Sequence, residues 1–218
     1  MMLRVRLTYA RGAALRYTGH LDMQDVWERT IRRARLPLAY SQGFHPQPKI
    51  NQACPLPLGM TSQMEIIDFW LEPELPLDKI QEQLYRALPP GMQPLHLELV
   101  DLRSPALQTR VLSAQYFATF LVPFDAQLLL QKVAEIRNAT SILRTRRDKK
   151  YDLRPLIDEL TILQTADPDL PHLSMLLAAR DGATGRPEEV ISALGFDPMD
   201  VRFERTKVFL TDTGGQSS

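Results

Sequence analysis

Leu3, Val5, Leu7 and Tyr9 alternate with Arg4, Arg6 and Thr8 at the start of the chain. A period of two marks a half-buried strand. The period then lengthens. Over residues 20–35, Leu21, Met23, Val26, Trp27, Ile31 and Ala34 recur at helical spacing, predicting an amphipathic helix that Pro37 stops. Strands are predicted over 50–57 and 64–72. A second helix is predicted over 78–88, with Ile80, Leu84 and Leu88 inward and Pro89-Pro90-Gly91 ending it. Residues 95–102 alternate again as a strand. The order β-α-β-β-α-β is the ferredoxin-like arrangement.

The second half repeats that order without evident sequence identity. A strand is expected over 116–122. A helix follows, capped by Asp125 and running to about Arg137, with Leu129, Leu130, Val133 and Ile136 inward. Residues 141–146 read as a strand, followed by a basic loop and the 153–163 segment. A strand over 172–178 and a helix opening at Pro187 come next. Residues 201–205 and 208–210 close the half as strand. The expected fold is α+β, with two ferredoxin-like β-α-β-β-α-β halves packed together. They occupy 1–103 and 114–210, and 211–218 is a disordered tail.

Composition narrows the chemistry. The 218 residues allow one domain or two small ones. Lys plus Arg and Asp plus Glu each total 26, so the formal net charge is zero. No whole-chain attraction for nucleic acid or anionic membrane is expected, and any basic footprint must be local. Arg4 and Arg6 interrupt the first apolar run, which argues against a signal peptide. No apolar run approaches the ~18 residues of a membrane span. A cytoplasmic protein without a membrane partner is expected. Cys54 is the single cysteine, so there is no internal disulfide, and its apolar surroundings suit a buried structural thiol. The glycines form no phosphate-cradling loop. No dense His/Cys spacing marks a metal. No metal and no cofactor are expected.

The candidate chemistry concentrates between Tyr17 and Gly59. The loop Tyr40-Ser41-Gln42-Gly43-Phe44-His45-Pro46-Gln47-Pro48-Lys49 combines two prolines, which stiffen the backbone, with a glycine that permits a bend. It offers Ser41, Gln42, Gly43, Phe44 and Lys49, together with Tyr17, as binding residues. His20 and Asp22 stand at the start of the first helix. The positive end of the helix dipole favours a neutral imidazole there, suited to a general base or a ligand-binding donor. Equally, His20 can satisfy local backbone and Asp22 can complement the dipole. His20 and His45 together can form an acid/base pair for metal-free RNA cleavage, or His45 can stack on a base or pack on Pro46. The catalytic candidates are therefore His20, Asp22 and His45.

Two basic clusters remain. On the first helix, Arg29 and Arg32 have acids four residues earlier, Asp25 and Glu28, which explain them as a salt-laced face. Arg33 and Arg35 lack such partners and are candidates for phosphate contact. The second cluster holds Arg144, Arg146, Arg147, Lys149, Lys150 and Arg154. A basic segment with an aromatic, Tyr151, suits a phosphate backbone, although charge runs also occur as plain solvated loops.

Several of these segments carry a resemblance. Tyr17-Thr18-Gly19-His20-Leu21-Asp22, Arg32-Arg33-Ala34-Arg35-Leu36-Pro37, Ala39-Tyr40-Ser41-Gln42-Gly43-Phe44-His45-Pro46 and Pro55-Leu56-Pro57-Leu58-Gly59 resemble the bacterial radical-SAM-linked protein family of unknown function. Tyr151-Asp152-Leu153-Arg154-Pro155 and Arg186-Pro187-Glu188-Glu189-Val190-Ile191 resemble its later signatures. The resemblance implies a radical-SAM protein as partner, encoded beside or fused to such chains. This chain is not expected to be that enzyme, because a radical-SAM cluster takes three cysteines and one is present. The expected function is an accessory protein that binds RNA or substrate for a separate radical-SAM enzyme. The alternatives are a metal-free RNA-processing or RNA-modifying enzyme using His20 and His45, and a protein-interaction module without nucleic acid.

Overall fold

The computed structural model describes residues 2–163 and 172–211. The fold is α+β, and the chain divides into two units. One runs to Val111 and resumes at Leu210; the other is Leu112–Phe209.

The first unit contains strand β1 (Leu3–Arg11), helix α1 (His20–Arg33), strands β2 (Ile50–Gln52) and β3 (Thr61–Leu71), helix α2 (Leu77–Ala87) and strand β4 (Met92–Val100). Its strand order is β4-β1-β3-β2, with every neighbour antiparallel. This is the ferredoxin-like arrangement. Val5, Leu7 and Tyr9 of β1 and Ile67, Phe69 and Leu71 of β3 meet Met23, Trp27 and Ile31 of α1 and Ile80 and Leu84 of α2 in one core. Full burial of such a side chain contributes about 1.5–3 kcal/mol. Trp27 fixes the contact of α1 with β1. Its ring stands edge-on to Tyr9 at 4.8 Å, and its Nε1–H donates to the Tyr9 hydroxyl at 3.2 Å.

Some boundaries differ from the periodic pattern. Strand β2 has only three residues, since Pro55 and Pro57 lack the N–H that would extend the ladder. Cys54, just beyond it, is half-buried rather than buried. Leu21 is 79% exposed, because it sits at the open end of α1 before the core begins. The helix stops ahead of Pro37. Arg35 adopts a left-handed φ of +56°, and Leu36 N–H returns to Ile31 O at 3.2 Å. That is a Schellman C-cap, with arginine where glycine or asparagine is usual.

The second unit contains strand β5 (Val111–Phe120), helix α3 (Ala126–Asn138), strands β6 (Leu143–Arg146), β7 (Lys149–Asp152), β8 (Ile157–Leu163), β9 (His172–Arg180) and β10 (Ala183–Thr184), helix α4 (Pro187–Ala193) and strand β11 (Val201–Leu210). As expected, Asp125 caps α3: its Oδ1 accepts from Gln127 N–H at 2.8 Å and Leu128 N–H at 3.2 Å. Leu129, Val133 and Ile136 are buried, whereas Leu130, expected inward, is half exposed. Phe120, Phe124 and Phe196 cluster with centroids 4.3–5.8 Å apart.

The strand order here is β11-β5-β9-β8, with β10 added at the end of β9. With β6, β7 and β10 set aside, both units place their strands in the order fourth, first, third, second. The periodic pattern puts 141–146 in the place of the second strand. That role belongs to β8, because β6 and β7 pair only with each other. They form a hairpin inserted between α3 and β8. Thr211, expected in the tail, is bound: it donates its N–H to Arg110 O at 2.7 Å and accepts from the Arg110 guanidinium at 2.8 Å. Residues 212–218 of the expected tail lie outside the described residues. No helix among the described residues is long and apolar enough to cross a membrane.

Candidate functional site

The motif loop folds back on itself. Lys49 N–H donates to Ala39 O and Ser41 N–H to Gln47 O, both at 2.8 Å, and Tyr40 bridges to Pro48. Ser41 Oγ accepts Gln47 N–H at 2.9 Å. These bonds make residues 39–41 and 47–49 a stem, which leaves Gln42–Pro46 as the tip. The stem is tied to β3 through Ala39 N–H to Trp70 O at 2.8 Å and Trp70 N–H to Lys49 O at 3.1 Å. Tyr40 hydroxyl donates to Glu28 Oε1 of α1 at 2.9 Å, and burial, then Glu28, pushes the phenol pKa above its ordinary value. At the tip, Gly43 has φ +132°, a conformation that L side chains rarely adopt. Phe44 beside it is fully exposed at 103%.

The stem frames a groove of about 420 Å³ on the first unit. Ser41, Gln47 and Lys49 line it from the stem, Ile50 and Asn51 from β2, and Trp70 from β3, with Pro48 between. Of the binding residues expected from sequence, Ser41 and Lys49 reach this groove. Tyr17 lies elsewhere, its ring edge 4.0 Å from where a side chain at Gly59 would begin. Gln42, Gly43 and Phe44 occupy the tip. Trp70 and Asn51 give no signal in the sequence, because within their strands they look like ordinary ladder positions.

The catalytic candidates fall on two elements, the start of α1 and the tip of the motif loop. Asp22 Oδ2 accepts Gly19 N–H at 3.1 Å, the reach-back of a third-position acid to the helix start, so its structural role is realised. His20 is exposed at the first position of α1, and His45 is exposed at the loop tip. Among the described residues neither imidazole bonds a carboxylate, and no group of three metal-ligating side chains converges.

The basic candidates are sorted by their partners. Arg33 donates to Ala87 O, the last carbonyl of α2, so it ties two helices at a favourable dipole end. Arg35 is the left-handed residue just after the C-cap Ala34, with its side chain exposed. Arg32 lies 3.7 Å from Glu28, but the expected Asp25–Arg29 pair does not form. In the second unit Arg144 Nε is 3.2 Å from Glu189 Oε2. Arg154 is structural: its guanidinium donates to Ile157 O at 2.8 Å and Arg137 O at 3.3 Å. Arg146, Arg147, Lys149 and Lys150 remain without an acid partner among the described residues. They surround the β6–β7 turn, where Arg147 and Asp148 take φ of +47° and +63°. Both central residues at positive φ give the hairpin turn whose twist matches its strands. Asp152 anchors the base of the hairpin by accepting Ile142 N–H at 2.7 Å and Arg154 N–H at 3.0 Å, which lowers its pKa.

A second charged cluster is not apparent from periodicity. Alternation puts Arg4 and Arg6 on the wet face of a half-buried strand. They are instead 2% and 7% exposed, and Asp68 between them is fully buried. Arg4 Nε donates to Asp68 Oδ2 at 2.9 Å and its other nitrogens to Ser104 O at 2.7 Å and Pro105 O at 2.9 Å. The segment after β4 thus supplies carbonyl partners to that face. Arg110 is also buried, its Nε is unpaired, and burial, followed by Arg6, pushes its pKa below the ordinary value. The available signal is Asp68 itself, an acid inside the apolar run Ile66-Ile67-Asp68-Phe69. Arg4 also lies over the Trp70 ring, 5.1 Å from its centroid, although it does not line the groove.

The family model of DUF2344, described as an uncharacterized protein conserved in bacteria, matches residues 4–187. No curated protein matches the chain. Among solved structures it is similar to a chain of a Cbf5-Nop10-Gar1 complex at 11% identity and a TM-score of 0.49. The likeness covers 96% of this chain and 50% of that one, so this chain spans half its length. It is also similar to the acetolactate synthase small subunit from Thermotoga maritima, at 12% identity and a TM-score of 0.29 over 99% of both chains. A putative glycine cleavage system transcriptional repressor is similar at 9% identity and a TM-score of 0.26, over 97% of this chain and 99% of that one.

Proposed function

We propose, for a chain that belongs to the bacterial DUF2344 family, the role of an accessory RNA-binding protein that serves a separate radical-SAM enzyme. The observation that carries the RNA component is the β6–β7 hairpin. Arg146, Arg147, Lys149 and Lys150 lie within five residues, have no acid partner among the described residues, and include one acid, Asp148, between them. In a chain of zero net charge this is a local cationic surface, and a local surface suffices because fields are screened beyond about 10 Å at moderate salt. Release of counterions from phosphates then supplies the affinity. The radical-SAM partner rests on the resemblance of the Tyr17–Gly59 block. The single cysteine supports that division of labour, since a radical-SAM cluster takes three.

The reading is tested by titrating the full chain with a short single-stranded RNA at several salt concentrations. Replacing Arg146, Arg147 and Lys150 together with Gln lowers the salt slope by up to about three, roughly one for each phosphate no longer neutralised. Arg32→Gln leaves the slope unchanged, since Glu28 already engages that side chain. No RNA affinity at low salt, or equal slopes for the triple variant and the parent chain, overturns the RNA component. Failure of the chain to co-purify with a co-expressed radical-SAM protein of the same genome overturns the accessory component.

A further inference from the structure

We infer that the groove between the motif-loop stem and Trp70 binds a single nucleotide, with its base against the Trp70 indole and its phosphate on the Lys49 ammonium. The inference rests on the nucleic-acid reading for its ligand class, but its site lies on the other unit and uses different residues.

The groove is built and its polar groups are unspent. Lys49 Nζ has a single weak contact, Met2 Sδ at 3.8 Å. The side-chain amides of Gln47 and Asn51 form no hydrogen bond among the described residues. Ser41 Oγ accepts from Gln47 N–H, which leaves its own O–H to donate. No acid lines the groove, so an anion meets one ammonium and no repulsion.

These groups match the parts of a nucleotide. An indole provides a stacking platform that every base can use. Side-chain amides have the paired donor and acceptor that read base edges. An ammonium holds phosphate as a point charge. A volume of about 420 Å³ falls within the range of small-ligand sites. The stem bonds fix Lys49 and Trp70 on one frame, and Arg4 holds the indole from outside the groove. Little ordering is then left for binding to impose. A nucleotide can arrive free or as an unpaired unit of RNA, and both present the same ring and phosphate.

The chain has two tryptophans, which makes the test direct. Trp27 is fully buried with its N–H on Tyr9, so quenching by a stacked base reports Trp70. The full chain is titrated with the four ribonucleoside monophosphates and, separately, with a short single-stranded RNA. A saturable quench is expected from at least one ligand, and Trp70→Phe abolishes it while the emission of Trp27 persists. Lys49→Gln weakens binding by about tenfold and lowers the salt slope by roughly one. Asn51→Asp, which adds an acid to the groove, weakens it, and circular dichroism verifies the fold because Asn51 stands opposite Asp68 in the ladder.

Quenching by monophosphates assigns the groove to a free nucleotide. Quenching by RNA alone assigns it to an unpaired base within a strand. The triple hairpin variant keeps the monophosphate quench, so failure of the hairpin reading leaves this result intact. No quench by any ligand, an equal quench in a folded Trp70→Phe chain, or unchanged affinity in both Lys49→Gln and Asn51→Asp overturns the inference.

Discussion

Arg6 Nε lies 2.7 Å from Asp68 Oδ1, on directly paired positions of β1 and β3, and Asp68 has no solvent exposure. Asp68 also accepts from Arg4, so one carboxylate serves two buried guanidinium groups with Arg110 beside them. Removing one partner of a buried pair leaves an uncompensated charge, which costs about 3–5 kcal/mol. Asp68→Asn is therefore expected to destabilise the chain by at least that amount, since it strands two arginines. Urea denaturation followed by circular dichroism measures it. A loss under about 1 kcal/mol, the scale of an exposed pair, means that the arginines find other partners.

Arg35→Gly is expected to stabilise the chain. The left-handed conformation costs a non-glycine residue about 1–2 kcal/mol, offset in part by the greater freedom of glycine in the unfolded chain. The net gain is up to about 1 kcal/mol, visible as a rise in the urea midpoint with an unchanged slope. If the variant binds RNA as well as the parent chain, the Arg35 side chain has no part in phosphate contact.

Gly185→Ala is expected to do the opposite in the second unit. A methyl group there would lie 2.7 Å from Leu156 O and 3.1 Å from Leu177 Cβ. Neither neighbour is a flexible side-chain end. Overpacking of this kind typically costs about 1–3 kcal/mol, and thermal melting reads it.

Gly43→Val tests the loop tip. Apart from its chain neighbours, no atom lies within 4 Å of where a Cβ would stand, so the main cost is backbone strain, of order 1–3 kcal/mol. The expected result is an unchanged core with altered loop geometry. The melting temperature falls by no more than about 10 °C while partner or nucleotide binding weakens. A chain that unfolds outright assigns the loop a structural role.

Alkaline pH is expected to weaken the fold. The phenols of Tyr40, Tyr85 and Tyr151 all have pKa values raised first by burial. A raised pKa in the folded state means that the unfolded chain loses its proton first as pH climbs past about 10. The contribution is complete below the unfolded value and disappears as pH rises through the folded one. Stability should fall from about pH 10 upward, and Tyr40→Phe should flatten that fall. An identical slope in the variant means that Tyr40 is not among the groups responsible.

The local elements are legible in the sequence because their causes are local. Alternation along Leu3–Tyr9, the Met23-Trp27-Ile31 spacing, the Asp125 cap and the Pro37 stop each act within a few residues, and all appear in the structure. The ferredoxin-like order follows from those elements in sequence. Tertiary structure alone decides the rest. Whether 143–146 joins the β11-β5-β9-β8 order or only a hairpin depends on which strand lies beside β9, and that is β8. The arginines of β1 look solvent-facing because alternation reports one buried face. Their burial depends on Asp68, 62 and 64 residues away, and on Ser104 and Pro105, about 100 residues away. The groove depends on Trp70 meeting a loop stem that begins about 30 residues earlier. A sequence window can register a period or a cap, but it holds no record of which distant carboxylate, carbonyl or ring will stand opposite a given side chain.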